Sequence, residues 1–146
     1  MFTFKLQSVA NYRKAVEEKK QVEFAEGQRL LAREEARLAL LREEKAMLFE
    51  QLKGVQGKTF VCADVALYLS YLALFSEKED EQGKIVHRAT EEVQRLRAAL
   101  LEAVQNRKVM DNLSERQFQE YTKEINKLER KDADETAVMR FIRHNK

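Results

Sequence analysis

The side chains with the greatest potential for chemistry are two histidines, one cysteine and four pairs of adjacent glutamates. His87 and His144 lie far apart in the sequence, so neither has a partner at the spacing of a metal site or a catalytic pair. Each is predicted to be a surface residue of a helix. Cys62 has no second cysteine with which to form a disulfide or a thiolate metal cluster. We expect it to be a small buried residue in a protein of a reducing compartment.

The paired glutamates could in principle supply a general acid and a general base. Basic residues stand beside or near each pair, however, and that pattern is typical of a solvated helix flank. The pairs are Glu17 and Glu18, Glu34 and Glu35, Glu43 and Glu44, and Glu91 and Glu92. The sequence also contains no phosphate-binding loop and no dinucleotide-binding glycine fingerprint. We therefore predict a protein that is not an enzyme and holds neither a metal nor a cofactor.

The composition indicates which elements position these residues. Of the 146 residues 36% are charged and none is proline, while alanine, leucine, glutamate, lysine, arginine and glutamine dominate, as in long helices. The 27 basic and 25 acidic residues alternate along the chain and leave a net charge of +2. A nucleic-acid-binding protein usually concentrates its basic residues on one surface, so we expect no nucleic-acid partner.

Two of the four glycines, Gly54 and Gly57, mark a predicted turn. Glycine accepts the left-handed backbone angles at which helices end, and Thr59 can accept a hydrogen bond from the first amides of the next helix. Before the turn, one heptad series comprises Phe24, Leu31, Leu38, Lys45 and Leu52, and a second comprises Leu41, Leu48 and Val55. The sequence thus predicts an all-α fold, an antiparallel two-helix coiled coil or long helical hairpin. Helix one should span about 4–54, the turn about 54–58 and the longer helix two about 59–141.

Helix two contains a polar stretch, Ser76 to Lys84, which includes Gly83 and could be interpreted as a loop. The seam pattern favours a continuous helix instead, because its positions step by fours and threes through this stretch without a skip. These positions are Tyr68, Leu72, Phe75, Glu79, Gln82, Val86, Ala89, Val93, Leu96 and Leu100.

The run from Phe60 to Phe75 is apolar on nearly every side, so one helix seam cannot bury all of it. Its aromatic residues Tyr68, Tyr71 and Phe75 either pack in the core or contact a partner, and the sequence is compatible with both. The run is too short to cross a bilayer, and residues 1–14 lack the apolar core of a signal peptide. We therefore expect a cytoplasmic protein without a transmembrane segment.

The two predicted helices differ in length, at about 75 Å for helix one and about 120 Å for helix two. Folding back at the turn places Lys5 beside Lys108, so residues from about Val109 onward are expected to have no partner within the chain. Their apolar stripe continues through Met110, Leu113, Phe118, Tyr121, Ile125 and Leu128. Because an isolated amphipathic helix gains little stability unless that face is covered, the pattern implies a partner or a second copy.

Two terminal motifs point to a known family. Near the N-terminus, the segment Phe4-Lys-Leu6-Gln-Ser-Val9 matches a Phe-x-Leu-x-x-Val signature. Near the C-terminus, the match covers residues 107–116 and 131–140, and between the two ends it depends mainly on Tyr68, Tyr71 and Leu72. Together these segments resemble the FliJ family, the small stalk protein of the bacterial flagellar type III export apparatus.

The resemblance implies a coiled coil similar to the rotor stalk of rotary ATPases, with no activity and no cofactor of its own. It implies that the paired ends enter a hexameric export ATPase and promote assembly of the ring. It also implies contacts with the membrane export-gate protein and with export chaperones, at the inner-membrane export apparatus. The residues expected to meet the ATPase are Arg107, Lys108, Arg116, Tyr121 and Arg140. Those expected to meet the gate or a chaperone are Tyr68, Tyr71, Leu72 and Phe75.

Other functions are compatible with the sequence. A self-associating structural coiled coil would cover the overhanging end of helix two with a second copy. A peripheral membrane protein would use the run from Phe60 to Phe75, although that run lacks the basic polar face of such helices. A related stalk of a virulence secretion system or of a rotary ATPase differs only in the terminal motifs.

Overall fold

The computed structural model describes residues 1–56 and 62–146, and these residues form two α-helices and no strand. Helix α1 spans Gln7–Gln56 and helix α2 spans Cys62–His144. The predicted all-α hairpin with a longer second helix is therefore confirmed. Gly54 lies within α1, while the predictions on Gly57 and Thr59 fall outside the described residues. Over the described residues, neither helix has a segment long and apolar enough to span a membrane.

The chain divides into two compact units, each of which pairs a segment of α1 with a segment of α2. The first, here called the terminal unit, consists of Met1–Glu18 and Glu102–Lys146. The second, the central unit, is Lys19–Leu101. Each unit buries one stripe of each helix, which is the arrangement expected when so many residues are charged.

In the central unit the two helices run antiparallel. The contacting pairs, taken in order along α1, are Gly27 with Leu96, Glu34 with Gln82, and Lys45 with Glu79. Positions therefore advance along α1 as they recede along α2. The seam predicted for α2 is confirmed, because every position of the predicted series from Tyr68 to Leu100 is buried or half-buried. The polar stretch Ser76 to Lys84 is helical throughout.

In the terminal unit the pairing also runs antiparallel, since Phe2 contacts Phe118 while Arg13 contacts Asn106, and it reaches further along α2 than the sequence suggests. Arg13 Nη1 donates to the backbone oxygen of Asn106 at 3.1 Å, and Met110 is only 9% exposed. The prediction that α2 is unpartnered from Val109 onward is wrong. The physical reason is that the heptad pattern leaves open the level of pairing, that is, which residue of α1 lies opposite which residue of α2. Sliding one helix along the other by seven residues would bury the same faces of both helices.

Candidate partner-binding surfaces

The end of α2 extends beyond the residues that the terminal unit buries. Ile125 is half-buried, and every residue from Asn126 to Lys146 is exposed. We call residues 126–146 the terminal overhang. Its exposed large apolar side chains are Leu128, Val138, Met139, Phe141 and Ile142. Covering these side chains would remove apolar area from water, so the terminal overhang is a candidate surface for a partner.

Arg107 joins the two helices of the terminal unit. Its guanidinium forms an ion pair with Glu17 of α1 and another, at 2.6 Å, with Asp111 one turn along α2. The hydrogen bond to Glu17, together with the nearby negative charges, raises the pKa of Arg107 above its ordinary value. The side chain is 30% exposed. Arg107 therefore forms its ion pairs within the chain, whereas the sequence analysis expects it to bind the ATPase.

Tyr121 is also engaged within the chain, by the residues that precede α1. The ring centroid of Phe2 lies 5.5 Å from that of Tyr121 and 5.4 Å from that of Phe118. The backbone amide of Gln7 donates to the oxygen of Phe4 at 3.1 Å, and Phe4 is buried. The N-terminal residues therefore cover this part of α2 and leave Tyr121 half-buried.

The remaining residues expected on the ATPase side are open to solvent. Lys108, Arg116 and Arg140 are all exposed on α2. Arg140 belongs to the terminal overhang, where it lines a groove with Asp132, Glu135, Thr136, Met139 and Arg143. A partner could therefore bind these three charged side chains without breaking the ion pairs of Arg107.

Three of the four residues expected to meet the gate or a chaperone belong to the seam. Tyr68, Leu72 and Phe75 are half-buried, and Leu72 lines a groove together with Phe49 of α1. Tyr71 differs, because it is 47% exposed on the outer side of α2. Substitutions at the three seam positions would therefore change helix packing, whereas Tyr71 can be changed with little effect on it.

The residues with potential for chemistry do not form a cluster. His87 Nε2 lies 3.0 Å from Glu91 one turn along α2, and His144 is exposed at the end of the helix. Cys62 is exposed, so its predicted burial is wrong, and the reason is that the first residue of α2 lies off the seam. Within 1–56 and 62–146, no group of three potential ligands is placed to hold a metal ion.

Sequence reasoning missed the polar contacts that cross the seam of the central unit. Gln82 Nε2 donates to the backbone oxygen of Glu34 at 3.0 Å and to its Oε2 at 2.6 Å, and both residues are 8% exposed. Lys45 and Arg42 each donate to Glu79 at 3.2 Å, and these hydrogen bonds lower the pKa of Glu79. The signal was available, since Glu79 and Gln82 are polar residues at seam positions, which require partners on the facing helix.

Comparison with known proteins gives a family. The model of the family described as Flagellar FliJ protein matches residues 1–146. A solved structure described as a YscO homologue from Chlamydia trachomatis is similar, with a TM-score of 0.68, 20% identity, and coverage of 99% of this chain and 98% of that chain. At this identity the likeness shows the fold alone. No curated protein matches the sequence. Because the family model covers the whole chain, the chain belongs to the flagellar FliJ family.

Proposed function

We propose that this FliJ-family chain is a stalk of the flagellar type III export apparatus with no catalytic activity of its own. It promotes assembly of the hexameric export ATPase and links that ring to the membrane export gate and to export chaperones. It acts in the cytoplasm, at the inner-membrane export apparatus. Membership of the family supports the role in export.

The observation that carries the ATPase role is the terminal overhang. Its apolar residues Val138, Met139, Phe141 and Ile142 are each more than half exposed. At about 100° per residue they form a broad face on one helix. A partner that encloses the helix would cover that face, and the lumen of a ring is such a partner. Arg140 lies between Met139 and Phe141 in the sequence and Arg143 follows Ile142, so both arginines provide charges for recognition next to the apolar face.

Light scattering combined with size-exclusion chromatography tests this role, with ATP hydrolysis followed in parallel. The chain alone should be a monomer, and adding it to the export ATPase should produce hexamers and raise turnover. The variant Met139→Ser/Ile142→Ser should lose both effects and keep its helix content, because both residues are exposed. The variant Arg88→Glu changes an exposed arginine of the central unit and should behave like the unchanged chain.

A second candidate function is favoured by the same exposed apolar residues, because a second copy could also cover them. In that case the chain alone would be a stable dimer, Met139→Ser/Ile142→Ser would make it monomeric, and the ATPase would be unaffected. That result would replace the stalk proposal with a self-associating structural protein.

The gate or chaperone contact requires a variant that separates binding from packing. Tyr71→Ala should weaken binding to the gate protein or to a chaperone and leave the melting temperature unchanged, because the side chain is largely solvent-exposed. Phe75→Ala should lower the melting temperature, since Phe75 belongs to the seam. A normal affinity of the Tyr71→Ala variant for both partners would contradict the assignment of Tyr71.

A further inference from the structure

A second apolar surface lies on the outer side of the central unit. It consists of Leu40 and Met47 of α1 and of Leu67, Tyr71 and Leu74 of α2, and we call these five residues the outer patch. Their side chains are between 45% and 59% exposed. Each of them immediately precedes a seam residue in the sequence, so none belongs to the seam.

The two halves of the outer patch face the same side of the helix pair. The two helices of an antiparallel pair are related by a twofold axis perpendicular to the plane that contains them. Residues that precede seam positions in the sequence therefore lie on the same side of that plane in both helices. The halves are also at the same level. Arg42 contacts Glu79, and counting five residues onward from Arg42 and five back from Glu79 places Met47 level with Leu74.

Carboxylates surround the outer patch. Over residues 40–51 and 63–81, seven acidic residues are exposed, against two exposed basic residues, Arg42 and Lys78, of which Arg42 is paired with Glu79. The exposed acidic residues are Glu43, Glu44, Glu50, Asp64, Glu77, Asp80 and Glu81. The whole chain has a net charge of +2, so the excess of negative charge is local to this surface.

We infer that the outer patch binds a basic amphipathic helix of a partner protein. Apolar residues of that helix would pack on the patch, and its lysines or arginines would meet the surrounding carboxylates. The surface between the levels of Leu67 and Leu40 matches a helix of about 14 residues, or about 20 Å. An anionic lipid surface is a poor alternative, because the carboxylates would repel its headgroups. This inference rests on the proposed function, which assigns a partner to this part of α2, and it adds the chemical class of that partner.

A binding assay with two synthetic peptides tests the charge of the partner. Both peptides are helix-forming chains of about 14 residues with leucine at helical spacing, and the remaining positions are lysine in one and glutamate in the other. The leucine–lysine peptide should bind the full chain saturably, with one peptide per chain, and more weakly as salt is added. The leucine–glutamate peptide should not bind. Equal binding of both peptides would overturn the inference.

Variants test the location of the site. Tyr71→Ser/Leu74→Ser should weaken binding of the leucine–lysine peptide by about tenfold or more and leave the helix content unchanged. Leu101→Ser, which alters an exposed leucine of α2 outside the outer patch, should leave the affinity unchanged. The triple variant Glu43→Lys/Glu44→Lys/Glu81→Lys should weaken binding of the lysine peptide and allow binding of the glutamate peptide. Unchanged affinity in the first variant would show that the peptide binds elsewhere.

A second copy of the chain could also cover the outer patch, and its binding must be distinguished from that of a partner helix. A concentration-dependent dimer that Tyr71→Ser/Leu74→Ser converts to a monomer would mean that the outer patch is covered by self-association, and would overturn the inference. The assay contains no ATPase, gate protein or chaperone. A chain that activates the ATPase but fails to bind the lysine peptide would therefore contradict this inference and leave the proposed stalk function intact.

Discussion

The absence of a side chain at Gly27 leaves room for the Leu96 side chain of α2 to lie against α1 in the central unit. A Cβ atom added there would lie 2.7 Å from Leu96 Cδ1, whereas one added at Gly83 would meet nothing within 4 Å. Replacing glycine by alanine inside a helix stabilises it by about 1 kcal/mol. Gly83→Ala should therefore raise the free energy of unfolding by about that amount. Gly27→Ala should lose most or all of the gain, because Leu96 must move.

Urea denaturation of the two variants measures this difference directly. The control uses a Leu96→Val background, which removes the Cδ1 atom that the new methyl group would meet. In that background the nearest contact recorded at Gly27 is Val93 Cγ2 at 3.6 Å, an ordinary van der Waals distance. Gly27→Ala should then stabilise the chain about as much as Gly83→Ala does. Equal gains for the two variants in the unchanged background would contradict a tight contact between Leu96 and residue 27.

Glu79 should make the stability of the central unit depend on acid. Hydrogen bonds from Lys45 and Arg42 hold the pKa of Glu79 below the ordinary value of a glutamate. A carboxylate with a lowered pKa stabilises the fold above its unfolded pKa, about 4.3, and this contribution is lost as the pH falls through the folded pKa. Glu79→Gln should be less stable than the unchanged chain at pH 7, and the difference should disappear in acid. Urea midpoints measured across pH test this, with Glu77→Gln at an exposed position as the control for the loss of one glutamate.

The buried contact between Glu34 and Gln82 ties α1 to α2 at one level. Gln82→Leu removes the amide that donates to Glu34 and leaves a buried carboxylate short of a donor, so it should lower the free energy of unfolding by about 1–3 kcal/mol. Glu34→Leu/Gln82→Leu removes both polar groups and should recover that stability or exceed it. Thermal and urea unfolding of the single and double variants provide the measurement. A double variant that is less stable than Gln82→Leu would show that the pair contributes favourably beyond satisfying its own polar atoms.

These cross-seam pairs explain what the sequence could and could not predict about the helices. The heptad series fixed which face of α2 is buried, and the helical stretch through Gly83 followed from the same pattern. The level of pairing did not follow, because a slip of one heptad buries the same kinds of residues. Polar pairs such as Glu34 with Gln82 and Glu17 with Arg107 distinguish the levels, since a slip would separate them.

The level of pairing also determines which of the candidate residues are open to a partner. Sequence reasoning found the charged and aromatic residues near both ends of the hairpin, but it could not tell which of them the chain itself uses. Arg107 and Tyr121 were indistinguishable by type from Arg140 and Tyr71. They differ because Glu17 and Phe2, which lie about a hundred residues away in the sequence, are folded against them. The exposure of a residue on a helical pair depends on the level of pairing, which the heptad pattern leaves open.

The part of the chain that the structure describes carries the two open surfaces defined above, one in each unit, and they differ in character. The terminal overhang, residues 126–146, carries both basic and acidic exposed residues, whereas the exposed charges near the outer patch are mostly carboxylates. Surfaces with different charge select different partners, because like charges brought together at an interface are repelled. The two surfaces should therefore bind their partners independently. A substitution that abolishes binding at one surface should leave binding at the other unchanged.

Removal of residues 126–146 separates the contribution of the terminal overhang to stability from its contribution to function. All of these residues are exposed, so their loss should reduce the helical circular dichroism signal and leave the thermal midpoint of the remaining chain unchanged. The shortened chain should no longer raise the turnover of the export ATPase. Phe2→Ala serves as the opposite control, since Phe2 packs against Phe118 and Tyr121 and its loss should lower the midpoint. If the truncation instead lowers the midpoint, and does so more at high protein concentration, a second copy covers the overhang in the free protein and the ATPase would have to displace it.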